Sequence, residues 1–405
     1  MFRQKIINDP VHGFIHVQSP LIFQLIKHPY LQRLRRIRQL GLSDLVYPGA
    51  THTRFHHALG AMHLMSKSLD ILRSKDIAIS KEEYEAACAA ILLHDIGHGP
   101  FSHTLERSII RGIAHEQISR MLMEQLDAEC SGQLFLARQM FDGTYPRKFF
   151  TQLISGQLDM DRLDYLLRDS FYTGVSEGIV GADRIIHMLH VQDDELVVEE
   201  KAIYSIEKFI IARRLMYWQV YLHKTVIAAD ILLWKILLRA RHLAATGIDL
   251  EINQPLAFFF QAAINEAPDA PETLSRFVQL DDHDVLFAVK RWQYAHDKVL
   301  SALCRNLLER KLPQIEISNK PIPASRMEEM ILETQKAMNL SREEALYFVH
   351  QGELENEAYR SEGGGIRMLM KNGSLEDVTR ISDNYSLEPL KTTVVKHYLS
   401  YPRAV

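Results

Sequence analysis

Apolar residues along the chain recur mostly with the spacing of helices. Between Arg54 and Leu72 they fall at Leu59, Met62 and Leu69, positions that share one face of a helix. We therefore predict an amphipathic helix over this segment. The same spacing predicts helices at Leu21–Ile26, Tyr30–Leu40, Gln117–Leu126, Lys148–Ile154, Met160–Tyr172, Gln254–Asn265, Asp282–Tyr294, Lys298–Arg310 and Arg326–Met338.

The segment Lys81–Asp95 begins with a helix start signal and then becomes wholly apolar. Ser80 precedes Glu82 and Glu83, a polar cap followed by acidic residues in the first turn. Every residue from 86 to 93 is apolar, which is typical of a buried central helix. Further along, the pattern over Ser205–Ala245 predicts one very long helix or two joined helices.

The C-terminal part has a different pattern. Ile315–Ile317 is a strand candidate there. Glu195–Glu199, earlier in the chain, also alternates like a short strand. Asn372 and Gly373 separate two apolar runs, which is a strong hairpin signal. Those runs are Gly365–Met370 and Leu375–Ile381; Ser341–Val349 is predicted as a short helix, and Thr392–Leu399 as a strand or helix.

These patterns predict a mainly α fold with two parts. Residues 1–312 would form a helical core, and residues 313–405 a smaller mixed α+β region. The chain has 405 residues, of which 47% are hydrophobic and 24% charged, as in ordinary globular proteins. Composition therefore excludes a disordered, collagen-like or disulfide-stapled chain.

Charge and cysteine content narrow the class of protein further. Lys and Arg number 47 against 51 Asp and Glu, a net charge of −4, so nucleic acid is not expected as the main partner. The three cysteines form no C-x-x-C pair, which fits a reducing cytoplasm. Neither an apolar signal segment nor an uninterrupted run of 18 apolar residues occurs, so we expect a cytoplasmic protein without a membrane span.

Histidine is the unusual component of the composition. Eight of the 19 histidines lie between residues 52 and 115. His94-Asp95 ends the apolar helix, His56 and His57 stand near the start of an earlier predicted helix, and Asp159, Asp161 and Asp164 near the start of a later one. A single His-Asp pair is more often structural, but two imidazoles and two carboxylates together suit Mn²⁺, Fe²⁺, Zn²⁺ or Mg²⁺. We therefore expect a divalent metal site.

An ordered set of motifs resembles the HD-domain phosphohydrolases. Within that family it is most similar to the deoxynucleoside triphosphate (dNTP) triphosphohydrolase branch, which includes the vertebrate sterile-alpha-motif/HD-domain dNTPase and bacterial homologues. The resemblance runs from about residue 5 to about residue 230 and more faintly to the end. The motifs are Ile7–Gly13, Gln32–Gly41, Tyr47–Ala50, Arg54–Gly60, Leu93–His103, His115–Gln117 and Asp159–Tyr165.

The resemblance implies roles for individual residues at the reaction centre. The implied metal ligands are His57, His94, Asp95 and Asp161. The implied catalytic residues are Arg54, His103, Glu106 and His115, with His103 as general acid and Glu106 orienting it. Glu106 stands where relatives commonly have Asp, so that match is approximate.

A larger set matches substrate contacts of the branch. Arg162 and Arg213 resemble triphosphate contacts, Tyr165 and Asp169 sugar contacts, and Tyr221 the residue that excludes a 2′-hydroxyl. For Tyr221 core packing is the alternative, and Asp164 is equally well explained as a salt-bridge partner. The implied substrate-binding residues are Gln39, Leu40, Arg54, His98, His115, Arg162, Tyr165, Asp169, Arg213, Tyr217 and Tyr221.

The implied activity is hydrolysis of dNTPs to deoxynucleoside and inorganic triphosphate by water attack on the α-phosphorus. Two alternatives stay open: another HD-type nucleotide phosphatase or phosphodiesterase, and a non-catalytic nucleotide sensor. Relatives also form homo-oligomers controlled by nucleotide, so a dimer or tetramer supported by the C-terminal region is expected. Lys5, Gln32 and Arg35 match regulatory positions, whereas Lys27 replaces an acidic guanine-binding residue.

Overall fold

The computed structural model describes residues 3–101, 114–261, 271–356, 359, 365–382, 387, 390 and 392–403. Within these ranges the chain is mainly helical, which confirms the predicted fold class. The longer helices of the N-terminal half are α1 (Pro20–Lys27), α2 (Pro29–Arg33), α3 (Arg54–Ser74), α4 (Lys81–Leu93), α5 (His115–Glu129), α6 (Phe135–Phe141), α7 (Lys148–Ser155), α8 (Met160–Thr173) and α9 (Ala182–His187).

The second half continues the helical set. Its helices are α10 (Ile203–Met216), α11 (Lys224–Ala245), α12 (Gln254–Gln261), α13 (Pro271–Phe277), α14 (Asp282–Trp292), α15 (Lys298–Leu308), α16 (Ala324–Met338), α17 (Arg342–Ala345) and α18 (Val378–Ile381). Among the described residues, no helix combines the length and the apolar character that crossing a membrane requires.

Nine short strands form three sheets in the described ranges. The strands are β1 (Lys5–Asp9), β2 (Gly13–Val17), β3 (Leu189–Gln192), β4 (Glu195–Glu199), β5 (Gln314–Ser318), β6 (His350–Asn356), β7 (Arg367–Leu369), β8 (Leu375–Asp377) and β9 (Val394–Tyr401). Strands β1 and β2 form a hairpin, β5-β9-β6 an antiparallel sheet, and β3-β4-β7-β8 a mixed sheet.

The centre of the fold is the pair α3 and α4, against which α8 packs on the α3 side. Ser80 caps α4 and forms a reciprocal capping box with Glu83, as the sequence pattern predicts. The apolar stretch from Ala86 to Leu93 is at most 5% exposed. Because the second half of α4 is buried on all sides, the His-Asp pair that follows it is held in the interior of the molecule.

One helix prediction in the N-terminal part was wrong in extent, because hydrogen bonds to distant residues occupy its backbone groups. The segment predicted as Tyr30–Leu40 leaves the α-helix at Arg33 and continues as a 3-10 turn. The N–H of Arg38 then donates to Asp282 Oδ2 at 2.8 Å, and the carbonyl of Ile37 accepts from the N–H of Arg54 at 2.9 Å. These bonds replace the helical ones.

The long predicted helix Ser205–Ala245 is two joined helices. A π-helical turn, Tyr217–Tyr221, separates α10 from α11. His223 is extended, and its side chain accepts from the N–H of Thr225 to cap α11. At this break the ring of Tyr221 contacts the ring of Tyr165, which lies on α8.

The C-terminal hairpin at Asn372-Gly373 is confirmed, since β7 and β8 pair antiparallel across it. The run Leu375–Ile381 is a strand only to Asp377, whose side chain then caps α18. Likewise Ser341–Val349 is helical only over α17. Strand β4 pairs in parallel with β7, so one sheet contains strands from both sides of residue 312, and that domain boundary stays a prediction.

Candidate metal centre and substrate pocket

The four predicted metal ligands converge from three helices. His57 lies in the first turn of α3, His94 and Asp95 follow α4, and Asp161 lies in the first turn of α8. Asp161 Oδ1 is 3.1 Å from His57 Nε2 and 3.6 Å from His94 Nε2. Asp95 Oδ1 is 3.3 Å from His94 Nε2, and Asp95 Oδ2 is 4.0 Å from His57 Nε2. The ligand atoms of His57, His94 and Asp161 lie within 4.8 Å of one another and could hold one ion, and Asp95 borders this group.

Hydrogen bonds fix which nitrogen of each imidazole faces this centre. His57 Nδ1 bonds to Asp164 Oδ2 at 2.8 Å, and His94 Nδ1 bonds to the carbonyl of Ile91 at 2.6 Å. Both acceptors require an N–H, so the neutral rings carry their proton on Nδ1 and a lone pair on Nε2. Both Nε2 atoms are buried without a hydrogen-bond partner among the described residues. This donor set fits a divalent metal ion.

The electrostatic field of the centre favours a cation. Burial alone would lower the pKa of His57, but the adjacent carboxylates of Asp161 and Asp164 raise it to about 10. The pKa of Asp161 falls well below its usual range because His57 and His94 outweigh the effect of burial. A divalent ion would take the place of the proton in this field.

Arg54 and a second group of side chains flank the centre. Arg54 Nη1 donates to Asp95 Oδ2 at 2.6 Å, and His98 Nε2 is 3.3 Å from Asp95 Oδ1. The ring of His98 stacks on that of His115 with centroids 3.8 Å apart. Burial, and then the charge of Arg54, hold the pKa of His98 well below its usual value. Asp95, His98 and His115 thus form a second cluster of possible metal ligands. Asp95 belongs both to this cluster and to the predicted ligand set.

A glycine allows His115 to reach this cluster. A Cβ on Gly97 would lie 2.1 Å from the carbonyl oxygen of His115 and 2.4 Å from the nitrogen of Ser119, so the chain after α4 and the start of α5 touch backbone to backbone. Ser119 Oγ also donates to the carbonyl of His94 at 2.8 Å and accepts from the N–H of Gly97 at 2.9 Å. His103 and Glu106 lie outside the described residues.

The predicted sugar contacts form a second part of the site. The hydroxyl of Tyr221 donates to Asp169 Oδ2 at 2.8 Å, and its ring meets that of Tyr165 edge to face at 6.0 Å. The ring of Tyr217 is 5.2 Å from that of Tyr221. Sequence reasoning missed His52, whose Nε2 bonds to Asp169 Oδ1 at 2.7 Å. His52 has no motif signal beyond its place in the histidine-rich window.

Two predicted phosphate contacts, Arg162 and Arg213, act electrostatically on Tyr165. Burial raises the pKa of the Tyr165 hydroxyl, and the charges of Arg213 and Arg162 act in the opposite direction. Arg162 also pairs with Asp159, and Arg213 Nη1 donates to Gln157 at 3.3 Å. The Nε–H groups of both arginines are buried without a partner among the described residues. Gln39 Oε1 is similarly unpaired there, and Leu40 is half-buried.

The predicted regulatory residues gather near the N-terminal hairpin. The Nζ atoms of Lys5 and Lys27 each lie 5.6 Å from the ring centroid of Phe23. Arg35 Nε donates to Gln32 Oε1 at 2.9 Å. Lys5, Lys27 and Arg35 are exposed, so these three cationic side chains lie on the surface rather than in the buried centre.

Asp164 is more than a surface salt-bridge partner. It is fully buried and contacts the candidate ligand His57, as well as His12 and Arg168. The signals in the sequence were the four-residue spacing of Asp164 and Arg168 on one helix face and the motif Ile7–Gly13. Sequence reasoning assigned no role to His12 or Arg168.

Comparisons with known proteins agree with this geometry. Residues 54–144 match the family model of the HD domain, and residues 180–248 match that of the HD associated region. The crystal structure of a phosphohydrolase from Bacteroides thetaiotaomicron superposes with a TM-score of 0.96, is 50% identical, and covers 99% of this chain and 100% of its own. An uncharacterized protein of Bacillus subtilis is 33% identical over 94% of this chain and 88% of its own length.

A deoxynucleoside triphosphate triphosphohydrolase SAMHD1 homolog of Dictyostelium discoideum is 31% identical over 54% of this chain. That alignment spans only 46% of the amoebal protein, so the two chains share a region rather than a whole architecture. Together with the family models and the close bacterial structure, this similarity shows that the chain belongs to the HD-domain phosphohydrolase family.

Proposed function

We propose that this HD phosphohydrolase hydrolyses dNTPs to deoxynucleoside and inorganic triphosphate. The observation that carries the proposal is the proximity of two groups of side chains. One is the His57, His94 and Asp161 cluster; the other is the Tyr165, Tyr221 and Asp169 pocket. Tyr165 and Asp161 are one turn apart on α8, so a phosphate at the cluster places its sugar in the pocket.

His57, His94, Asp95 and Asp161 would hold the divalent ion. When bound, such an ion polarises a phosphoryl group and lowers the pKa of coordinated water. In the overall reaction water oxygen bonds to the α-phosphorus while the bond to the 5′-oxygen breaks. The electron pair of that bond stays on the 5′-oxygen, which must then receive a proton.

The side chains around the cluster suit these tasks. Arg54, already bonded to Asp95, adds a fixed positive charge where phosphoryl oxygens become more negative. Arg162 and Arg213 each retain a buried N–H for the triphosphate. His115 is partly exposed and lies 3.3 Å from Glu116, so it can exchange protons with solvent and with the site.

The sugar pocket supports a preference for deoxyribose. Asp169 is held by His52 on one oxygen and by Tyr221 on the other. A carboxylate fixed in this way can accept a hydrogen bond from a sugar hydroxyl, while the packed rings of Tyr165 and Tyr221 limit the space beside it.

The same proposal includes a homo-oligomer with a regulatory nucleotide. Lys5, Lys27 and Arg35 form an exposed cationic group suited to phosphate, and Lys27 favours anion binding over guanine recognition. Sedimentation velocity with and without dNTPs tests this part. A monomer in both conditions would contradict it.

The activity is tested by product analysis with purified protein. Each dNTP and NTP is supplied alone and in mixtures with Mn²⁺, Mg²⁺, Fe²⁺ or Zn²⁺, and phosphate products are separated by anion exchange. We expect inorganic triphosphate from dNTPs, whereas pyrophosphate or monophosphate would indicate another HD phosphatase or phosphodiesterase. Bound nucleotide without turnover in any metal would favour a sensor.

Loss of a ligand should abolish turnover. Asp161→Asn and Asp95→Asn each replace a charged oxygen donor by a neutral amide and leave side-chain size unchanged. Asp183→Asn is the matched control, because the Asp183 side chain is 78% exposed and forms a surface ion pair with Lys67 at 2.6 Å. Full activity in either ligand variant would contradict the metal assignment.

A further inference from the structure

A buried carboxylate stands directly behind the candidate metal centre. Asp164 is fully buried, and both of its oxygens are occupied. Oδ2 accepts from His57 Nδ1 at 2.8 Å and from Arg168 Nε at 2.9 Å. Oδ1 accepts from His12 Nε2 at 2.6 Å and from Arg168 Nη2 at 3.0 Å. A buried carboxylate with four donors is fixed in position and in orientation.

The same network reaches the N-terminal hairpin. The opposite side of the Arg168 guanidinium donates to Asp9, with Nη1 to Oδ2 at 2.8 Å and Nη2 to Oδ1 at 3.2 Å. Asp9 Oδ1 also accepts from the N–H groups of Val11 and His12, at 3.0 and 2.9 Å. Asp9 thereby shapes the turn of the hairpin that presents His12 to Asp164.

The space for this network depends on α3 itself. Gly60 follows His57 by one helical turn, and a Cβ there would lie 1.9 Å from Asp164 Oδ1 and 2.2 Å from Arg168 Nη2. Because Gly60 has no side chain, the backbone of α3 can pack directly against the Asp164–Arg168 ion pair. Buried charges cost free energy unless all of them are paired. A purely apolar contact between the two helices would provide packing at a lower cost in free energy.

We infer that Asp164 is the positioning residue of the metal centre and that the β1–β2 hairpin, through His12 and Arg168, holds it in place. Asp164 keeps the proton of His57 on Nδ1 and the lone pair of Nε2 directed at the metal. The hairpin and the metal centre are then one coupled unit, although Lys5 to Val17 contribute no ligand. This inference rests on the metal site of the proposed function.

Metal affinity tests the inference without any need for activity. Binding of Mn²⁺ alone is measured by the electron paramagnetic resonance signal of free Mn²⁺ for the wild-type protein, Asp164→Asn, His12→Ala and His12→Gln. We expect Asp164→Asn and His12→Ala to weaken binding by about 10- to 100-fold, the range for lost partners of metal ligands. Gln can donate one hydrogen bond in place of His12 Nε2, so His12→Gln should recover part of the affinity.

Asp297→Asn is the matched control for loss of an Asp–Arg pair. Asp297 accepts two hydrogen bonds from Arg239 and caps α15, so its loss lowers stability without altering the centre. Thermal melting is recorded for every variant. If Asp164→Asn does not fold, the contrast between His12→Ala and His12→Gln still decides the question.

Hydrogen exchange gives the reciprocal measurement. Because coupling acts in both directions, Mn²⁺ should slow exchange at the amides of Val11 and His12 in the wild-type protein and much less in His12→Ala. Unchanged Mn²⁺ affinity in Asp164→Asn and His12→Ala, with the wild-type protein binding normally, would overturn the inference. Failure of the wild-type protein to bind Mn²⁺ would instead contradict the proposed metal site itself.

Discussion

Single hydrogen bonds decide what each side chain of the candidate site can do. His57 and His94 expose Nε2 because Asp164 and the carbonyl of Ile91 occupy Nδ1. The motif resemblance selected residues that the structure does bring together, among them His57, His94 and Asp161 and the rings of Tyr165 and Tyr221. It was not enough to predict His52, because its bond to Asp169 joins residues far apart in the chain that no local pattern relates.

At this scale we predict the effect of removing one hydroxyl group. Tyr221→Phe keeps the ring but deletes the donor to Asp169, and hydrogen bonds to charged groups are worth about 1.5–3 kcal/mol. The value of kcat/KM for dNTPs should fall by about tenfold or more. The ratio of kcat/KM for dNTPs to kcat/KM for NTPs should also become smaller. Steady-state kinetics measure both.

Tyr204→Phe serves as the control for that experiment, since Tyr204 is 56% exposed and lies at the start of α10. It should behave as the wild-type protein does. Unaltered selectivity in Tyr221→Phe would assign Tyr221 to packing.

At the scale of helices, the candidate site depends on close contacts at glycines between neighbouring segments. α3 meets α8 at Gly60, and the chain after α4 meets α5 at Gly97. The helices themselves were largely predictable, since α3 and α4 follow their apolar period and the Ser80 cap closely. Their ends were less so: the segment Tyr30–Leu40 leaves the α-helix at Arg33, and its backbone groups further on bond to residues 54 and 282, which local propensity does not register.

We predict that Gly60→Ala damages the contact between α3 and α8. The new methyl would overlap Asp164 and Arg168, and overpacking of a buried site typically costs about 1–3 kcal/mol. Urea unfolding should therefore show a lower free energy of unfolding, accompanied by weaker Mn²⁺ binding.

The comparison for this variant is Gly181→Ala. A Cβ at Gly181 would have only one neighbour within 4 Å, Arg184 Cβ at 4.0 Å, so little change is expected. If both variants were equally stable, the helices would have room to separate and Gly60 would not be required.

For the whole molecule, the main question is how the C-terminal region joins the helical core. Lys235 of α11 is only 8% exposed and donates to the carbonyl of Leu346 at 2.9 Å. Burial lowers its pKa to about 8. The hairpin at Asn372-Gly373 was predictable from its turn residues, but the parallel pairing of β7 with β4 was not, because no short-range signal selects a partner so distant in sequence.

This buried lysine predicts a pH dependence of stability. The unfolded chain keeps the Lys235 proton up to about pH 10.4, whereas the folded protein releases it near pH 8. The unfolded state thus binds more protons between these values, so the free energy of unfolding should rise with pH there, by about 3 kcal/mol in total. Below pH 8 this gain is absent.

Lys235→Met should remove that rise, since methionine fills a similar volume without a charge. Urea unfolding at intervals from pH 7 to 10.5, compared between the two proteins, isolates the contribution of this residue from other titrations. Parallel stability curves would show that Lys235 is solvated in the folded protein.

The pairing of β4 with β7 also has a consequence during synthesis. Val198 and Glu199 pair with Met368 and Leu369, which leave the ribosome long after β4 does. Until then one edge of β4 has unpaired backbone groups, the kind of edge that pairs with other chains. The nascent protein therefore passes through a period of exposure to aggregation that ends only when β7 is made, and chaperone demand should concentrate in that interval.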